Sequence, residues 1–132
     1  MSTILISIKP EYVEKIFDGS KKYEYRTRLA NENVDKMIIY CTAPVKAVVG
    51  EVKVVGTISG SPEWLWEHTK DHAGITKEKF FDYFGDKEIA NCYVLGDCVK
   101  CSQPIKLEDL NFGVNVGPQS WVYVKGSIFE ES

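Results

Sequence analysis

Met37-Ile38-Ile39-Tyr40-Cys41 is an unbroken apolar run between Lys36 and Thr42. It is too short for a helix, and near-continuous apolarity is the mark of a strand covered on both faces. A chain built round such a strand needs apolar cover above and below it, and the neighbouring segments are patterned to supply it. Ile4, Ile6 and Ile8 alternate with Leu5 and Ser7, which predicts a first strand with one strongly apolar face. Pro10 suits the first turn of a helix whose stripe is Tyr12, Val13, Ile16 and Phe17, closed by Gly19. Val48 to Ile58 is a Val-rich strand in which Gly50 and Gly56 mark a bend or bulge.

Ser61-Pro62-Glu63 opens a helix with a capping hydroxyl, a proline in the first turn and an acid at the positive dipole end. Trp64, Leu65, His68 and His72 recur on one face of it as far as Gly74. A second helix, from Thr76 to Gly85, carries Phe80, Phe81 and Phe84. The pair reads as a helical hairpin inserted between strands, with its aromatic stripes packed on the sheet. Ile89 to Leu95 and Val99 to Leu107 then read as two strands joined at Gly96-Asp97, a tight-hairpin dipeptide, with Pro104 near a strand end. Ser120 to Val124 is the last strand, and Glu130-Glu131-Ser132 reads as a frayed acidic tail.

The 132 residues are 44% hydrophobic, which suits one domain over residues 1–132 with one real core. No apolar run approaches the ~18 residues of a membrane span. The N-terminus lacks the basic-then-apolar pattern of an export signal, so a cytoplasmic location is expected. Sixteen basic against nineteen acidic residues give a net charge of -3, which excludes the uniform basic field of a protein that coats nucleic acid. Residues 1–28 differ: Lys9, Lys15, Lys21, Lys22, Arg26 and Arg28 outnumber Glu11, Glu14, Asp18 and Glu24. Any nucleic-acid contact is therefore small and local, on the scale of one flipped or single-stranded base. Cys98 and Cys101 have the spacing of a metal knuckle, but no second such pair exists and His68 and His72 lie far upstream. In an extended segment the two sulfurs point to opposite faces, so reduced cysteines are expected, with no metal and no cofactor.

The segment Gly19-Ser20-Lys21-Lys22-Tyr23-Glu24-Tyr25-Arg26 follows the first helix. If it is extended throughout, Lys22, Glu24 and Arg26 share one face and Lys21, Tyr23 and Tyr25 the other. A carboxylate between cations is either a ladder of exposed ion pairs, worth about 0–1 kcal/mol, or the edge of a cleft for a planar anionic ligand. The spacing Gly19-x-Lys21-x-x-Glu24-x-Arg26, preceded by Ser7-Ile8-Lys9-Pro10 and followed far downstream by Pro118-Gln119-Ser120 and an apolar strand, resembles the ASCH domain family of the PUA-like superfamily. The resemblance covers nearly the whole chain. It implies an α+β fold: a small mixed β-barrel of about six strands with an N-terminal helix and an inserted helical hairpin.

By resemblance, Lys9, Lys21, Glu24 and Arg26 line an RNA- or nucleotide-binding cleft, with Gln119 and Ser120 offering hydrogen bonds to a base edge. Tyr23, Tyr25, Tyr40 and Trp121 are candidates for stacking on a base or for the core. Some members of the family hydrolyse the acyl amide of a modified cytidine and others are linked to RNA cleavage. In the amidohydrolase-like members a threonine nucleophile stands where this chain has Glu24, which supplies no hydroxyl, and Thr27 does not match. Binding of single-stranded RNA or a modified nucleoside is therefore the first expectation. A small hydrolase using Lys21 and Glu24 to activate water, on a nucleoside amide or an RNA phosphodiester, is the alternative. A scaffold whose hairpin docks a protein partner through Trp64, Trp66 and Phe81 is a third. On the binding reading, Lys21→Ala and Arg26→Ala abolish RNA binding and leave the melting temperature nearly unchanged.

Overall fold

The apolar run becomes β3 (Val34–Cys41), and the neighbours that cover it are those the pattern supplies. In the computed structural model, which describes residues 1–129, β1 (Ser2–Ile8) pairs with β3 in parallel. β4 (Ala47–Gly60) lies antiparallel on the other side of β3. The remaining elements are α1 (Pro10–Asp18), β2 (Tyr23–Arg26), α2 (Pro62–Thr69), α3 (Lys77–Phe84), β5 (Ala90–Ile105) and β6 (Trp121–Val124). They complete a six-stranded mixed sheet in the order β2-β5-β4-β3-β1-β6. The acidic tail expected at Glu130 to Ser132 lies outside the described residues.

Alternation along β3 divides its side chains between two layers. Met37, Ile39 and Cys41 face the main core with Ile4, Ile6, Ile8 and, from α1, Val13 and Ile16. Ile38 faces the opposite layer with Leu5, Val48, Leu107 and Val124. Met37, Ile38 and Ile39 are fully buried, and burial of side chains of this size contributes about 1.5–3 kcal/mol each. A third cluster, under the helical hairpin, joins Leu65, Phe80 and Phe84 to Tyr25 and Cys92 of the sheet.

The sheet is not closed into a barrel: β2 and β6 are its two edges, without backbone pairing between them. The edges are nevertheless brought together, because Arg26 of β2 donates to the Ser7 carbonyl at the end of β1 and to Ser120 Oγ just before β6. A side chain spans the seam where a strand ladder would have closed a barrel. The loop between β2 and β3 is fixed by phenol oxygens: Tyr83, Tyr93 and Tyr123 accept from the backbone N–H groups of Thr27, Ala30 and Glu32 at 3.3, 2.7 and 3.0 Å.

Two sequence expectations are corrected. The hairpin at Gly96-Asp97 does not form; β5 runs through it as one strand against β4. Val52 opposes Cys98 and Val54 opposes Leu95, so two residues of β5 face Lys53 alone and the glycine serves a bulge. Further register shifts at Val48/Gly50 and Val54/Gly56 bend the same ribbon. The helix expected to reach Gly74 ends at Thr69 and passes into a 3-10 turn over Lys70–His72. Its buried positions are Pro62, Leu65 and Thr69, so Trp64, 44% exposed and stacked on His68 at 4.0 Å, is on the wet face. Ser61 and Thr76 do cap their helices, each accepting from the backbone N–H three residues on. No helix among the described residues is long and apolar enough to cross a membrane.

Candidate functional site

Gly19 ends α1 in the left-handed conformation, φ 88°, and the chain doubles back. The Lys21 N–H still bonds to the Lys15 carbonyl at 3.0 Å, so Lys21 belongs to the helix exit. The Lys22 N–H reaches the His72 carbonyl at 2.9 Å, and strand alternation starts only at Tyr23. This overturns the expectation that Lys21 shares a face with Tyr23 and Tyr25 and turns away from Glu24. The turn carries its side chain to within 4.0 Å of Glu24 Oε1, while Lys22 stays exposed.

Lys21 is a buried cation, 4% exposed. Its Nζ donates to the Ala73 carbonyl at 2.8 Å and stands 4.9 Å from the Tyr25 ring centroid and 5.4 Å from that of Tyr12. Desolvation pulls its pKa below the ordinary lysine value, and the Glu24 carboxylate pulls it back in part. Glu24 is itself 7% exposed. Its Oε2 accepts from Arg26 Nε at 3.0 Å and from Arg26 Nη2 at 2.8 Å, which leaves Oε1 to Lys21. Arg26 Nη2 also donates to the Ser7 carbonyl and Nη1 to Ser120 Oγ, both at 3.0 Å. Among the described residues, four of the five guanidinium N–H donors have partners, which leaves one on Nη1 for a ligand.

These groups form the floor of a cleft of about 540 Å³. Lys9 stands exposed on its rim. α1 contributes Glu11 and Tyr12, and α3 contributes Lys79, Asp82 and Tyr83. Glu11 and Lys79 pair across the two helices at 3.7 Å, both half exposed. Among the described residues the lining carries four cations, Lys9, Lys21, Arg26 and Lys79, against three carboxylates, Glu11, Glu24 and Asp82.

The structure thus brings Lys9, Lys21, Glu24 and Arg26 together, and Ser120 reaches the same cluster through Arg26. Tyr40 and Gln119 lie outside this cluster. Strand alternation directs Tyr40 with Ile38 into the layer that holds Leu5, where its ring lies against Gly117. Gln119 is exposed and is not among the cleft lining. Tyr25 lines the cleft as well, but it is mostly buried under the hairpin, its hydroxyl donating to Thr69 Oγ1 at 2.6 Å. Trp121 is half buried against the main core. The sequence reading missed Tyr12, Lys79 and Tyr83. Lys79 and Tyr83 are four residues apart, on one face of α3, and that spacing was the available signal. Tyr12 was hidden inside an apolar helix stripe.

Three comparisons bear on this arrangement. The ASCH domain matches residues 6–110. An ASCH domain-containing ribonuclease of Zymomonas mobilis is 32% identical over 107 residues, which cover 80% of this chain and 72% of that protein. Two longer Ureaplasma parvum proteins also contain a similar stretch. The chain is 28% identical to part of an ATP synthase subunit alpha and 29% identical to part of a large ribosomal subunit protein, spanning 15% and 39% of their lengths. The crystal structure of ASCH from Zymomonas mobilis superposes with a TM-score of 0.83 at 29% identity, over 94% of this chain and 88% of that one. With that domain matched over residues 6–110 and a relative 32% identical over 80% of its length, the chain belongs to the ASCH domain family.

Proposed function

We propose that the cleft binds single-stranded RNA, one nucleotide deep. The observation that carries this reading is the convergence of Lys21 and Arg26 with three tyrosines, Tyr12, Tyr25 and Tyr83, round one hollow of about 540 Å³. A volume of that order suits a nucleotide-sized ligand. The Lys21 ammonium and the last Arg26 N–H meet phosphate oxygens. Tyr83, 47% exposed, offers a ring face to the base, a contact worth about 1–3 kcal/mol. Glu24 holds both cations in place and keeps the field local, so the footprint is short and a duplex is a poor ligand. The likeness to the Zymomonas mobilis ribonuclease points the same way.

Fluorescence anisotropy with a labelled short single-stranded RNA tests it. Wild type binds, and Lys21→Met and Tyr83→Ala each weaken binding by tenfold or more. Equal affinity in all three proteins removes the reading. N4-acylated cytidine serves as a second ligand, because a modified nucleoside would occupy the same hollow.

One observation favours a second reading, cleavage of the bound strand. Burial pushes the Lys21 pKa down, so a larger share of it is free amine than for a lysine in water. In that role it takes the proton of a ribose 2′-hydroxyl as that oxygen attacks phosphorus. The 5′-oxygen leaves with a proton from solvent, giving a 2′,3′-cyclic phosphate and a 5′-hydroxyl end. Amide hydrolysis by a side-chain hydroxyl has no support at this position, where Glu24 Oε2 is committed to Arg26. Product-end analysis of labelled RNA separates cleavage from binding: full-length RNA recovered after incubation leaves binding alone.

A further inference from the structure

The loop between α2 and α3 lies against the Lys21 side chain along its whole length. The Ala73 carbonyl accepts from Lys21 Nζ at 2.8 Å, and Ala73 is 1% exposed, so this acceptor is fixed within the fold. His72 accepts from the Lys22 N–H at 2.9 Å, and the Gly74 carbonyl from Lys15 Nζ at 3.4 Å. Three successive loop carbonyls therefore bind the segment that runs from α1 into β2. Gly74 has φ +67°, and a Cβ built on it would lie 2.5 Å from Lys21 Cβ, 2.6 Å from Cγ and 2.8 Å from Cδ. No side chain fits there while Lys21 keeps its place. The helix before the loop is anchored on β2 through the bond between Tyr25 and Thr69. On its other side, the ammonium meets the rings of Tyr12 and Tyr25.

We infer that Gly74 is a positioning residue for the cleft: the missing side chain lets the α2–α3 loop clamp the Lys21 stem and aim its ammonium at the ligand. The hairpin is then a working part of the site, although neither Ala73 nor Gly74 lines the cleft. A bulkier residue at position 74 pushes the lysine stem off the loop, breaks the bond to the Ala73 carbonyl and turns the amine outward into water. This inference rests on the RNA-binding reading for its functional consequence, and its structural half is measurable without RNA.

The test is Gly74→Ala in the full chain, read by competitive acetylation of Lys21 across pH with mass spectrometry, alongside thermal melting and RNA anisotropy. Gly74→Asn is the second variant. Asparagine accepts a left-handed backbone better than alanine and still carries a Cβ, so it reports the side-chain contact if the alanine protein does not fold. The expected result is an upward shift of the Lys21 acetylation midpoint, because the amine regains water. RNA affinity falls about tenfold while the melting transition stays cooperative. An unmoved midpoint in a folded variant overturns the inference, even if RNA binding falls. A shifted midpoint with unchanged RNA affinity upholds the clamp and removes Lys21 from RNA binding, so the two readings fail separately.

Discussion

Replacing Arg26 with alanine is the perturbation for which the structure gives the clearest magnitude. The guanidinium makes four hydrogen bonds, two to Glu24 and one each to Ser7 and Ser120, and its side chain is only 14% exposed. Glu24, with a side chain 9% exposed, would be left with Lys21 as its remaining cation, at 4.0 Å. Removing one partner of a buried pair costs about 3–5 kcal/mol, and the residual lysine puts this case near the lower figure, about 3 kcal/mol. In a domain of this size that corresponds to a melting temperature lower by about 10 °C. This revises the expectation from the sequence that Arg26→Ala leaves stability nearly unchanged. Urea unfolding with unaltered slope is the assay. Glu24→Gln in the Arg26→Ala background is the control: it deletes the stranded charge and restores about 1 kcal/mol or more, whereas the same change in wild type destabilises. The reasoning is refuted if Arg26→Ala lies within about 1 kcal/mol of wild type, or if Glu24→Gln costs the same in both backgrounds.

Lys21→Met is expected to leave stability unchanged or slightly raised at neutral pH, since the buried ammonium is disfavoured by desolvation and Glu24 keeps Arg26; calorimetry checks this beside the lost RNA binding. RNA affinity should fall with salt at a log–log slope of about -1.5 to -3, as for two to four phosphate contacts on a single strand, and a slope near zero would contradict phosphate recognition. Burial pushes the Cys92 thiol from 9.0 up to about 12. A raised folded-state value stabilises fully below the unfolded pKa and is lost as pH climbs through the window from 9.0 to about 12. Wild type should therefore lose about 2 kcal/mol more than Cys92→Ala between pH 8 and pH 10.5, measured by urea unfolding at each pH. Gly50→Ala should destabilise by about 2–3 kcal/mol in the same assay, because the new Cβ would lie 2.5 Å from the backbone oxygen of Val99, which a paired strand cannot move aside.

Elements whose signals are local were legible in the sequence. The apolar run of β3, the proline and glycine that bound α1, and the capping hydroxyls of Ser61 and Thr76 each act through near neighbours, and each has the effect its chemistry implies. Gly96-Asp97 misled because a glycine in a bulge and a glycine in a hairpin share a composition; only the partner strand decides between them. Lys21 misled for a related reason. Alternation holds only inside a strand, and the bond from its N–H to the Lys15 carbonyl places it outside one. Open sheet and closed barrel differ in whether β2 meets β6, and nothing in either strand's own residues announces that relation. Of the cleft, the charged floor was visible as a motif. The tyrosine walls were not, since a ring in an amphipathic stripe reads as core until the opposite wall is known.

β1 obtains its two partners from distant parts of the chain: Val34 to Cys41 on one side and Trp121 to Val124 on the other. During synthesis its second edge, with Leu5 and Ile6, must wait for Trp121 to Val124 to emerge. A nascent chain that already holds the ASCH match over residues 6–110 still presents an unpaired apolar rim to whatever is nearby. Folding of this module is thus gated by synthesis of β6, and termination ahead of Trp121 turns out an adhesive half-product in place of a weakened cleft.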